Sequence, residues 1–403
     1  MSVLPFEQAY EAVQRYCQKL TPTGHESVSL LEAPGRVLAE PVLADRDFPP
    51  FPRSARDGYA IHASDVKTVP AQLRVVGQVK AGGSYEKIVA RGEAVEIMTG
   101  AAVPEGANAV VMVEHTKCNG EHLEVLRSLT EGENIVPRGS EARAGQEIIR
   151  LGTRIGFAQI AITAAVGRTR PSVYKKPRVA ILATGDELVD VAALPSAHQI
   201  RNSNTYSLAA QVIIAGGNPV LLPVAPDDKA ALNQLIQEGF SSDLLLLSGG
   251  VSMGKFDLVE EVLTDLGASF IFTGVQIQPG RPVVFGEVRS TPFFGLPGNP
   301  VSTMVTFDLF ARPVLQALGG AFPVRLPTVK ARLGKDFKTK TGLTRFLPAL
   351  LRGGLYDPEV ETIGWQGSGD ASAAARADCY MIIPPDRESI GAGETVSVLL
   401  RPS

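Results

Sequence analysis

The sequence predicts a multidomain α/β protein, and three observations support that fold class. The chain has 403 residues, which is more than one ordinary hydrophobic core accommodates. Between residues 176 and 322, continuous apolar runs of strand length alternate with helical patterns, which is typical of a parallel sheet covered on both faces. Before and after this region, short β-type runs lie between glycines and prolines. We therefore expect a three-layer α/β subdomain accompanied by smaller, β-rich subdomains.

The first 175 residues combine helical and β-type patterns. Apolar residues at helical spacing predict an amphipathic helix over residues 5–20, and FAQIAITAAVG (157–167) predicts a second helix. Between them, runs such as LRVVGQV, EAVEIM and NAVVMVEH predict β-strands. We therefore predict an elongated mixed subdomain, residues 1–45 plus 141–175, interrupted by an inserted all-β subdomain over residues 46–140.

The rest of the chain divides into an α/β part and a β part. The apolar strands RVAILAT, NPVLLPVA and SDLLLLSGG alternate with helical segments such as NTYSLAAQVIIAGG, DDKAALNQLIQEG and DLVEEVLTDLG, and a longer helix follows them. This pattern predicts the α/β subdomain over residues 176–322. The later runs TVKARL, CYMIIP and ETVSVLL predict a small C-terminal β domain over residues 323–403.

Composition argues against several classes of function. The net charge is −3 and the pI is near 6.0, so neither a nucleic-acid surface nor a basic membrane patch is expected. The three cysteines and five histidines are scattered without zinc spacing, and such cysteines suit a reducing compartment. The N-terminus lacks a signal-peptide pattern, and the long uncharged run 202–226 contains prolines and paired glycines. We therefore expect a cytoplasmic protein without a membrane span.

Three glycine-containing loops follow strands of the predicted α/β subdomain, at the edge where such sheets bind ligands. They are ATGDEL (183–188), LSGGVSMGKFD (247–257) and GLPGNPVS (295–302). Bare backbone N–H groups beside helix N-termini suit an anion, although Asn299-Pro300 equally fits a helix cap and first helical position. No GxGxxG follows a strand and no GxxxxGK[ST] occurs, which excludes dinucleotide and P-loop sites. Together the loops predict a phosphate or polyanion site of another type.

The acids in and beside these loops have two interpretations. Phosphate-anhydride chemistry normally uses Mg²⁺ held by oxygen ligands, so loop carboxylates are candidate metal ligands. However, Asp257 with Glu260 fits a capping box, and Asp227-Asp228 opens a predicted helix. Glu187 has no comparable capping role, which makes it the stronger candidate for a ligand.

Eight motifs, taken together and in this order, resemble the molybdopterin molybdenumtransferase family, which includes MoeA-like proteins and the E domain of gephyrin. They are FPPFPRSARDGYA, IMTGAAVPEGANAVV, ILATGDEL, SNTYSLAAQV, SGGVSMGKFD, QPGRPVVFG, GLPGNPVS and GSGDASAAARA. They span nearly the whole chain. The resemblance implies an elongated mixed subdomain, an inserted β subdomain, a three-layer α/β subdomain shared with molybdopterin adenylyltransferases, and a small C-terminal β barrel.

The resemblance also implies a reaction, a cofactor and partners. Family members insert molybdate into adenylylated molybdopterin and release AMP, with Mg²⁺ as the cofactor. They are homodimers in which the α/β subdomain of one chain and the β insertion of the other form a composite active site. A molybdopterin adenylyltransferase is a further expected partner.

The same resemblance assigns site residues. The catalytic residues implied are Asp57, Thr99, Glu187, Asp227 and Asp257. We hypothesise that Glu187, Asp227 and Asp257 hold Mg²⁺ or its waters, with Asp57 orienting water or metal from the partner chain. The substrate-binding residues implied are Thr184, Gly185, Asp186, Ser248, Gly249, Gly250, Ser252, Arg281, Pro297, Gly298, Asn299, Pro300, Ser302 and Ser368.

The chain departs from the family pattern at four places, one of which is Gly139-Ser140-Glu141 where the family has Gly-Glu-Asp. Arg56 replaces a methionine beside Asp57, and Arg281 replaces the lysine of a PGKP motif. The arginine-marked GRPEF-like segment reads GLTRFLP, which puts Arg345 out of register and leaves Ser368 as the candidate that contacts molybdate. The place of the molybdate therefore stays open at this point.

Other functions fit parts of the sequence. A molybdopterin adenylyltransferase or a CinA-like pyrophosphatase needs only the α/β subdomain, and the β insertion with Asp57 argues against both. A non-catalytic gephyrin-like scaffold does not need the loop acids that this chain retains. A sibling that inserts tungstate is not separated from a molybdate enzyme by any motif.

Overall fold

The computed structural model describes residues 3–249, 258–354 and 356–401. The chain forms two compact units. The first, called the main unit, comprises Met1–Ala39, Gly152–Gly156 and Ser172–Ser403. The second, called the inserted unit, comprises Glu40–Leu151 and Phe157–Pro171. The finer division into four subdomains stays a prediction.

The inserted unit contains a six-stranded sheet, which confirms the predicted β-strands. In spatial order its strands are Ala109–Met112, Gly58–Ile61, Glu93–Ile97, Ala71–Val79, His122–Val125 and Thr116–Asn119. All neighbouring strands are antiparallel except Ala71–Val79 and Glu93–Ile97. Tyr59 and Ile61 pack into one apolar core and Ala60 packs into another, so the sheet is covered on both faces. The helix Phe157–Ala165, predicted from the apolar run at 157–167, also belongs to this unit.

The main unit is organised around a second six-stranded sheet, called the central sheet. In spatial order its strands are Asn218–Leu221, Arg178–Ala183, Leu244–Ser248, Thr291–Leu296, Val284–Val288 and Ser269–Phe272. The first four are parallel, and Val284–Val288 runs antiparallel to both of its neighbours. The alternation of strands and helices predicts the parallel strands. This alternation does not predict the hairpin that Val284–Val288 and Thr291–Leu296 form, because no helical segment lies between these two strands.

Helices on both faces of the central sheet complete a three-layer structure. Leu244 and Leu246 pack into one core, and Leu245 and Leu247 pack into the other; all four are completely buried. The first face is covered by Phe6–Cys17, Ser203–Ala215, Pro300–Thr306, the π-helical turn Phe307–Ala311 and Arg312–Leu318. The second face is covered by Lys229–Gly239 and Leu258–Asp265. The run of four leucines is therefore a strand without a solvent face.

The C-terminal part of the main unit forms a closed five-stranded barrel. In order around the barrel, its strands are Thr344–Gly353, Pro358–Thr362, Thr328–Leu333, Thr395–Leu400 and Cys379–Ile383. The short strand Ile277–Gln278 pairs with the start of the first of these strands and so connects the barrel to the α/β region. One helix, Ala371–Arg376, was not predicted; it is capped by Asp370, whose carboxylate accepts from the Ala373 N–H at 3.0 Å.

Short elements complete the described chain. They are the strands Val3–Leu4, His25–Ser27, Val42–Leu43, Arg53–Ser54, Ile135–Val136, Glu147–Ile149, Ser172–Tyr174, Leu188–Val189, Ile200–Arg201, Gly274–Val275, Phe337–Lys338 and Ser389–Ile390, and the 3₁₀ turns Ala63–Val66 and Val113–His115. Among the described residues, no helix has both the length and the apolar character needed to cross a membrane.

Candidate active site

Three neighbouring parallel strands end at the same edge of the central sheet, and the three predicted loops follow them. We call these the Thr184, Ser248 and Pro297 loops; their described residues are 184–188, 248–249 and 297–300. The Thr184 N–H donates to the Ser248 carbonyl oxygen at 3.1 Å, and the Gly249 N–H donates to the Leu296 carbonyl oxygen at 3.2 Å. Strand order therefore places the three loops side by side.

The backbone of the Ser248 loop leaves no room for a side chain. Gly249 has φ +91°, and a Cβ atom there would lie 2.7 Å from the Thr184 carbonyl oxygen. Gly298 of the Pro297 loop faces it, since a Cβ atom on Gly298 would contact the Gly249 Cα at 3.6 Å. Glycine is required at position 249 because the loops approach each other through their main chains.

A cavity of about 410 Å³ lies against these loops and contains two buried hydroxyl groups. Thr184 is 5% exposed, and its Oγ1 has no hydrogen-bond partner among the described residues. Ser248 is 2% exposed, and its Oγ accepts from the Asn204 side-chain amide at 3.1 Å. Nearly all buried polar atoms in proteins have a partner, so the unpaired Thr184 hydroxyl at the cavity wall is available to a polar ligand.

An acidic cluster lies beside the same cavity. Asp186 Oδ1 accepts from the Asp227 N–H at 3.2 Å. Partial burial, together with the negative charges of Asp186 and Glu187, raises the pKa of Asp227 above its ordinary value. Glu187 lines the 410 Å³ cavity and also an open neighbouring cavity of about 1330 Å³, which Asp227 lines as well. The structure therefore brings these three predicted residues together.

The two adjacent acids at 227 and 228 have different roles. The Asp228 carboxylate caps the helix Lys229–Gly239 by accepting from the Ala231 N–H at 2.8 Å. Asp227 is therefore not needed as the cap, and its carboxylate is the one coupled to the acidic cluster. Sequence alone left both interpretations open for this pair.

The carboxylate oxygens at this edge of the sheet are the type of ligand that Mg²⁺ prefers. Water and substrate oxygens normally complete the shell of a bound Mg²⁺. Glu187 and Asp227 supply carboxylates at one cavity. Within the described ranges, no group of three or more His, Cys, Asp or Glu residues has the arrangement of a complete metal site. The third predicted ligand, Asp257, lies outside the described residues, as do Gly250 and Ser252 of the Ser248 loop.

A third cavity, of about 900 Å³, collects cationic and hydroxyl side chains, and we call it the cationic cavity. Its polar lining includes Arg281, Ser302, Lys340, Arg345 and Ser368. Arg345 is out of register with the family's arginine in the sequence, yet the barrel strand brings it to this cavity. Arg345 is 7% exposed and donates to the Leu343 carbonyl oxygen at 3.1 Å, and burial lowers its pKa. The cationic cavity is therefore suited to an oxyanion.

Hydrogen bonds join the barrel to the Pro297 loop at this cavity. The Asn299 Nδ2 group donates to Ser368 Oγ at 2.9 Å, and the Val301 N–H donates to the Ser368 carbonyl oxygen at 2.9 Å. Asn299 precedes the helix that begins at Pro300, but its side chain makes no capping hydrogen bond. Asn299 therefore occupies the N-cap position through its backbone. Its side chain does not cap the helix and contacts the barrel instead.

The cavities form a continuous series. The open cavity shares Thr184, Glu187 and Gly249 with the 410 Å³ cavity. It shares Pro297 and Asn299 with the cationic cavity. An extended ligand can thus contact buried hydroxyls, carboxylates and cations in succession.

In the inserted unit, the structure brings Asp57 and Thr99 together. Asp57 Oδ1 accepts from the Thr99 N–H at 2.6 Å and from Thr99 Oγ1 at 2.7 Å, and these bonds lower the pKa of Asp57. Asp57 is exposed, and Gly58 behind it has no space for a Cβ atom because the Val111 carbonyl oxygen occupies that position. The carboxylate is therefore held ionised at the unit's surface. Its participation in a partner's active site stays a prediction.

Four of the cavity-lining residues that the sequence did not indicate are polar or aromatic side chains of functional interest. Asn204 and Arg201 line the first cavity, and Lys340 and Trp365 line the cationic cavity. Asn204 lies in the quoted motif SNTYSLAAQV, where paired polar residues at a helix start were a usable signal. The other three residues carry no local pattern that separates them from ordinary surface residues.

Comparison with known families covers most of the chain. Residues 4–167 match the MoeA N-terminal region (domain I and II), residues 180–317 match a probable molybdopterin binding domain, and residues 330–400 match the MoeA C-terminal region (domain IV). The order of the three matches along the chain is that of the subdomains that the resemblance implies.

Individual relatives agree with this result. The chain is 35% identical to a molybdopterin molybdenumtransferase of Nostoc sp. over 390 residues, covering 94% of this chain and 89% of the relative. It is 34% identical to one of Bacillus subtilis over 400 residues, covering 97% and 93%. A crystal structure of a molybdopterin biosynthesis moeA protein from Pyrococcus horikoshii has a TM-score of 0.83 at 31% identity, covering 99% of this chain and 100% of that one.

The different roles of Asp227 and Asp228 can be tested by the same substitution at both. Asp227→Ala is expected to raise the melting temperature slightly near pH 7 without Mg²⁺, because burial and repulsion from Asp186 and Glu187 penalise its charged form. This penalty is complete above the raised pKa and disappears below the ordinary pKa of 3.8, so the gain shrinks as pH falls. Asp228→Ala should instead cost about 1 kcal/mol, because a helix cap is lost. Equal destabilisation by both variants in thermal denaturation would contradict this assignment.

Proposed function

The chain belongs to the molybdopterin molybdenumtransferase (MoeA) family, and on that premise we propose that it inserts molybdate into adenylylated molybdopterin and releases AMP, with Mg²⁺. Membership makes it an enzyme of molybdenum cofactor biosynthesis. The observation that supports this specific reaction is the series of three adjoining cavities, whose lining changes from buried hydroxyls to carboxylates to cations.

The buried hydroxyls suit the phosphate groups of the substrate. Cleavage of the link between AMP and molybdopterin leaves negative charge on phosphate oxygens, and fixed donors stabilise such charge best when water is excluded. Thr184 has an unpaired Oγ1 at the cavity wall, and Ser248 has a hydrogen available to donate. In this proposal both hydroxyls, with backbone N–H groups of the loops, hold the phosphates and stabilise the leaving AMP.

The acidic cluster suits the metal. Glu187 and Asp227, with Asp257, would supply carboxylate ligands to Mg²⁺, which neutralises charge on phosphate oxygens when it is bound. The raised pKa of Asp227 supports this role, since crowded negative charges gain a counter-ion when a cation binds. Asp57, whose carboxylate stays ionised, would orient water or metal from the partner chain.

The cationic cavity suits the molybdate, which is the second substrate. Molybdate is a tetrahedral dianion, and Arg281, Lys340 and Arg345 supply three positive charges around one cavity. Ser302 and Ser368 add hydroxyl groups at its wall. Because tungstate has the same charge and shape, this cavity does not separate a molybdate enzyme from a tungstate enzyme.

A homodimer is part of the proposal, and an exposed apolar helix supports it. Only Thr163 is buried within Phe157–Ala165, although the helix consists mainly of apolar residues. Phe157 is 92% exposed. Exposed apolar surface of this kind indicates an interaction surface. Because this helix belongs to the inserted unit that carries Asp57, association there is consistent with a composite active site.

Two other functions remain distinguishable by experiment. A molybdopterin adenylyltransferase would consume ATP and would not need molybdate. A receptor-binding scaffold would bind peptides without forming molybdenum cofactor. The cationic cavity favours the molybdate enzyme over both, because neither alternative requires an oxyanion site beside the phosphate-binding loops.

The reaction is tested by supplying adenylylated molybdopterin, Mg²⁺ and molybdate and measuring AMP. We expect AMP release to depend on molybdate and to fall at least about 100-fold in Glu187→Gln, because an oxygen ligand at the phosphates is lost. Glu238→Gln, on the exposed side of a neighbouring helix, is the matched control and should retain the wild-type rate. As a second readout, Mg²⁺ should raise the melting temperature of the wild-type protein more than that of Glu187→Gln. AMP release that ignores molybdate would contradict the proposal.

Molybdate binding is tested by fluorescence, because Trp365 is the only tryptophan in the sequence and lines the cationic cavity. Molybdate and tungstate should both change its emission. Arg345→Ala should raise the Kd for molybdate at least about tenfold, since a buried charged donor is removed. Arg352→Ala, at the exposed end of the same strand, should not change the Kd. Unchanged molybdate affinity in Arg345→Ala would place the molybdate elsewhere.

The assembly is tested by placing a charge on the exposed apolar helix. Phe157→Glu should convert the protein from a dimer to a monomer in light scattering coupled to gel filtration, because a buried unpaired charge opposes association. Leu194→Glu, also highly exposed but in the main unit, should leave the dimer intact. A wild-type monomer, or a dimeric Phe157→Glu variant, would refute this interface.

A further inference from the structure

One side-chain amide connects two of the three loops at the candidate active site. The Nδ2 group of Asn204 donates to Ser248 Oγ at 3.1 Å and to the Gly298 carbonyl oxygen at 2.7 Å. These partners are 44 and 94 residues away along the chain. Asn204 is half-buried and lines the same cavity as both partners.

The segment that carries Asn204 is itself tied to the third loop. The Ile200 N–H donates to the Glu187 carbonyl oxygen at 2.9 Å, and the Asn202 N–H donates to the Val189 carbonyl oxygen at 2.9 Å. These bonds belong to the pairing of Leu188–Val189 with Ile200–Arg201. Asn204 is therefore held in place from the Thr184 loop while it binds the Ser248 and Pro297 loops.

Helix capping does not explain this side chain. The helix Ser203–Ala215 is capped by Asn202, whose side chain accepts from the Thr205 N–H at 3.3 Å. Asn204 lies inside the first turn, where asparagine has a lower helix propensity than many residues. Its amide thus contributes to the loops and not to the helix.

We propose that Asn204 is a positioning residue that holds the Ser248 and Pro297 loops in register and aims the Ser248 hydroxyl at the substrate. The Asn204 amide occupies a lone pair of Ser248 Oγ, so the serine keeps its own hydrogen for donation. Ser248 is 2% exposed, and within the described residues its hydroxyl has no acceptor. That hydrogen is therefore available to a ligand in the cavity, and an anionic phosphate oxygen is the acceptor that suits it. The identity of this ligand rests on the proposed function, whereas the positioning role does not.

Two substitutions at Asn204 distinguish the effect of its hydrogen-bond donor from the effect of its side-chain shape. Asn204→Ala removes the amide, and Asn204→Asp keeps its shape but replaces the donor with an acceptor that repels the Gly298 carbonyl oxygen. Asn233→Ala, on the helix Lys229–Gly239, is the matched control. In the ligand-free proteins, both Asn204 variants should show at least about tenfold faster hydrogen exchange in peptides containing residues 248–249 and 297–303, where the Gly249, Val301 and Thr303 N–H groups are hydrogen-bonded. The strand Arg178–Ala183 should keep its protection, and the melting temperature should change by less than about 2 °C.

Binding of AMP, measured by calorimetry on the full chain, reports whether the positioned hydroxyl is used. Both Asn204 variants should bind AMP about 10- to 100-fold more weakly than wild type, and Asn204→Asp should be the weaker because it adds a negative charge. Ser248→Ala and Asn204→Ala should be non-additive when combined, since one residue acts through the other.

Each result decides between the positioning role and the proposed function. Unchanged exchange in both loops overturns the positioning role whatever the affinity for AMP. Additive losses in the double variant overturn the action through Ser248. If exchange changes as expected but wild-type protein binds no AMP, the positioning role stands and the proposed function fails.

Discussion

The double-sided burial of the strand Leu244–Ser248 is the constraint on which the rest of the main unit depends. Its four leucines alternate between the two helical layers and are completely buried, so the strand joins both cores and has no solvent face. Both neighbouring strands pair with it in parallel, which sets their register as well. Consequently the point where the strand ends, at Ser248 and Gly249, also determines where the Thr184 and Pro297 loops begin.

The close backbone contact at this edge of the central sheet lowers the local stability. At Gly249 no side chain covers the Thr184 carbonyl oxygen, and Thr184 Oγ1 has no partner among the described residues. Burial and the nearby carboxylates of Asp186 and Glu187 raise the pKa of Asp227. Buried unpaired hydroxyls and crowded like charges both oppose folding. The phosphate ligand and divalent cation of the proposed function would satisfy both.

The sequence predicted what local pattern controls and missed what tertiary contact controls. Apolar runs and helical spacing identified the parallel strands and most helices, because burial on one or both faces imposes those periods directly. The three loops were found because their order on a parallel sheet follows from the alternation. Local pattern could not decide which of Asp227 and Asp228 caps a helix, since both are good caps. It also could not show that Arg345 reaches the cationic cavity or that Asn204 joins two loops, because those contacts depend on residues far away in the chain.

The opposite charges of the open cavity and the cationic cavity give the barrel a role in the proposed site. Carboxylates at one end would repel a molybdate dianion, and cations at the other end would compete with Mg²⁺ for its ligands if the two groups mixed. The Pro297 loop forms a shared wall between them, since Pro297 and Asn299 line both the open cavity and the cationic cavity. The hydrogen bond from Asn299 to Ser368 fixes that wall against the barrel, which supplies Lys340 and Arg345. In the proposed function, the α/β region would hold the phosphates, and the barrel completes the cationic cavity that would bind molybdate.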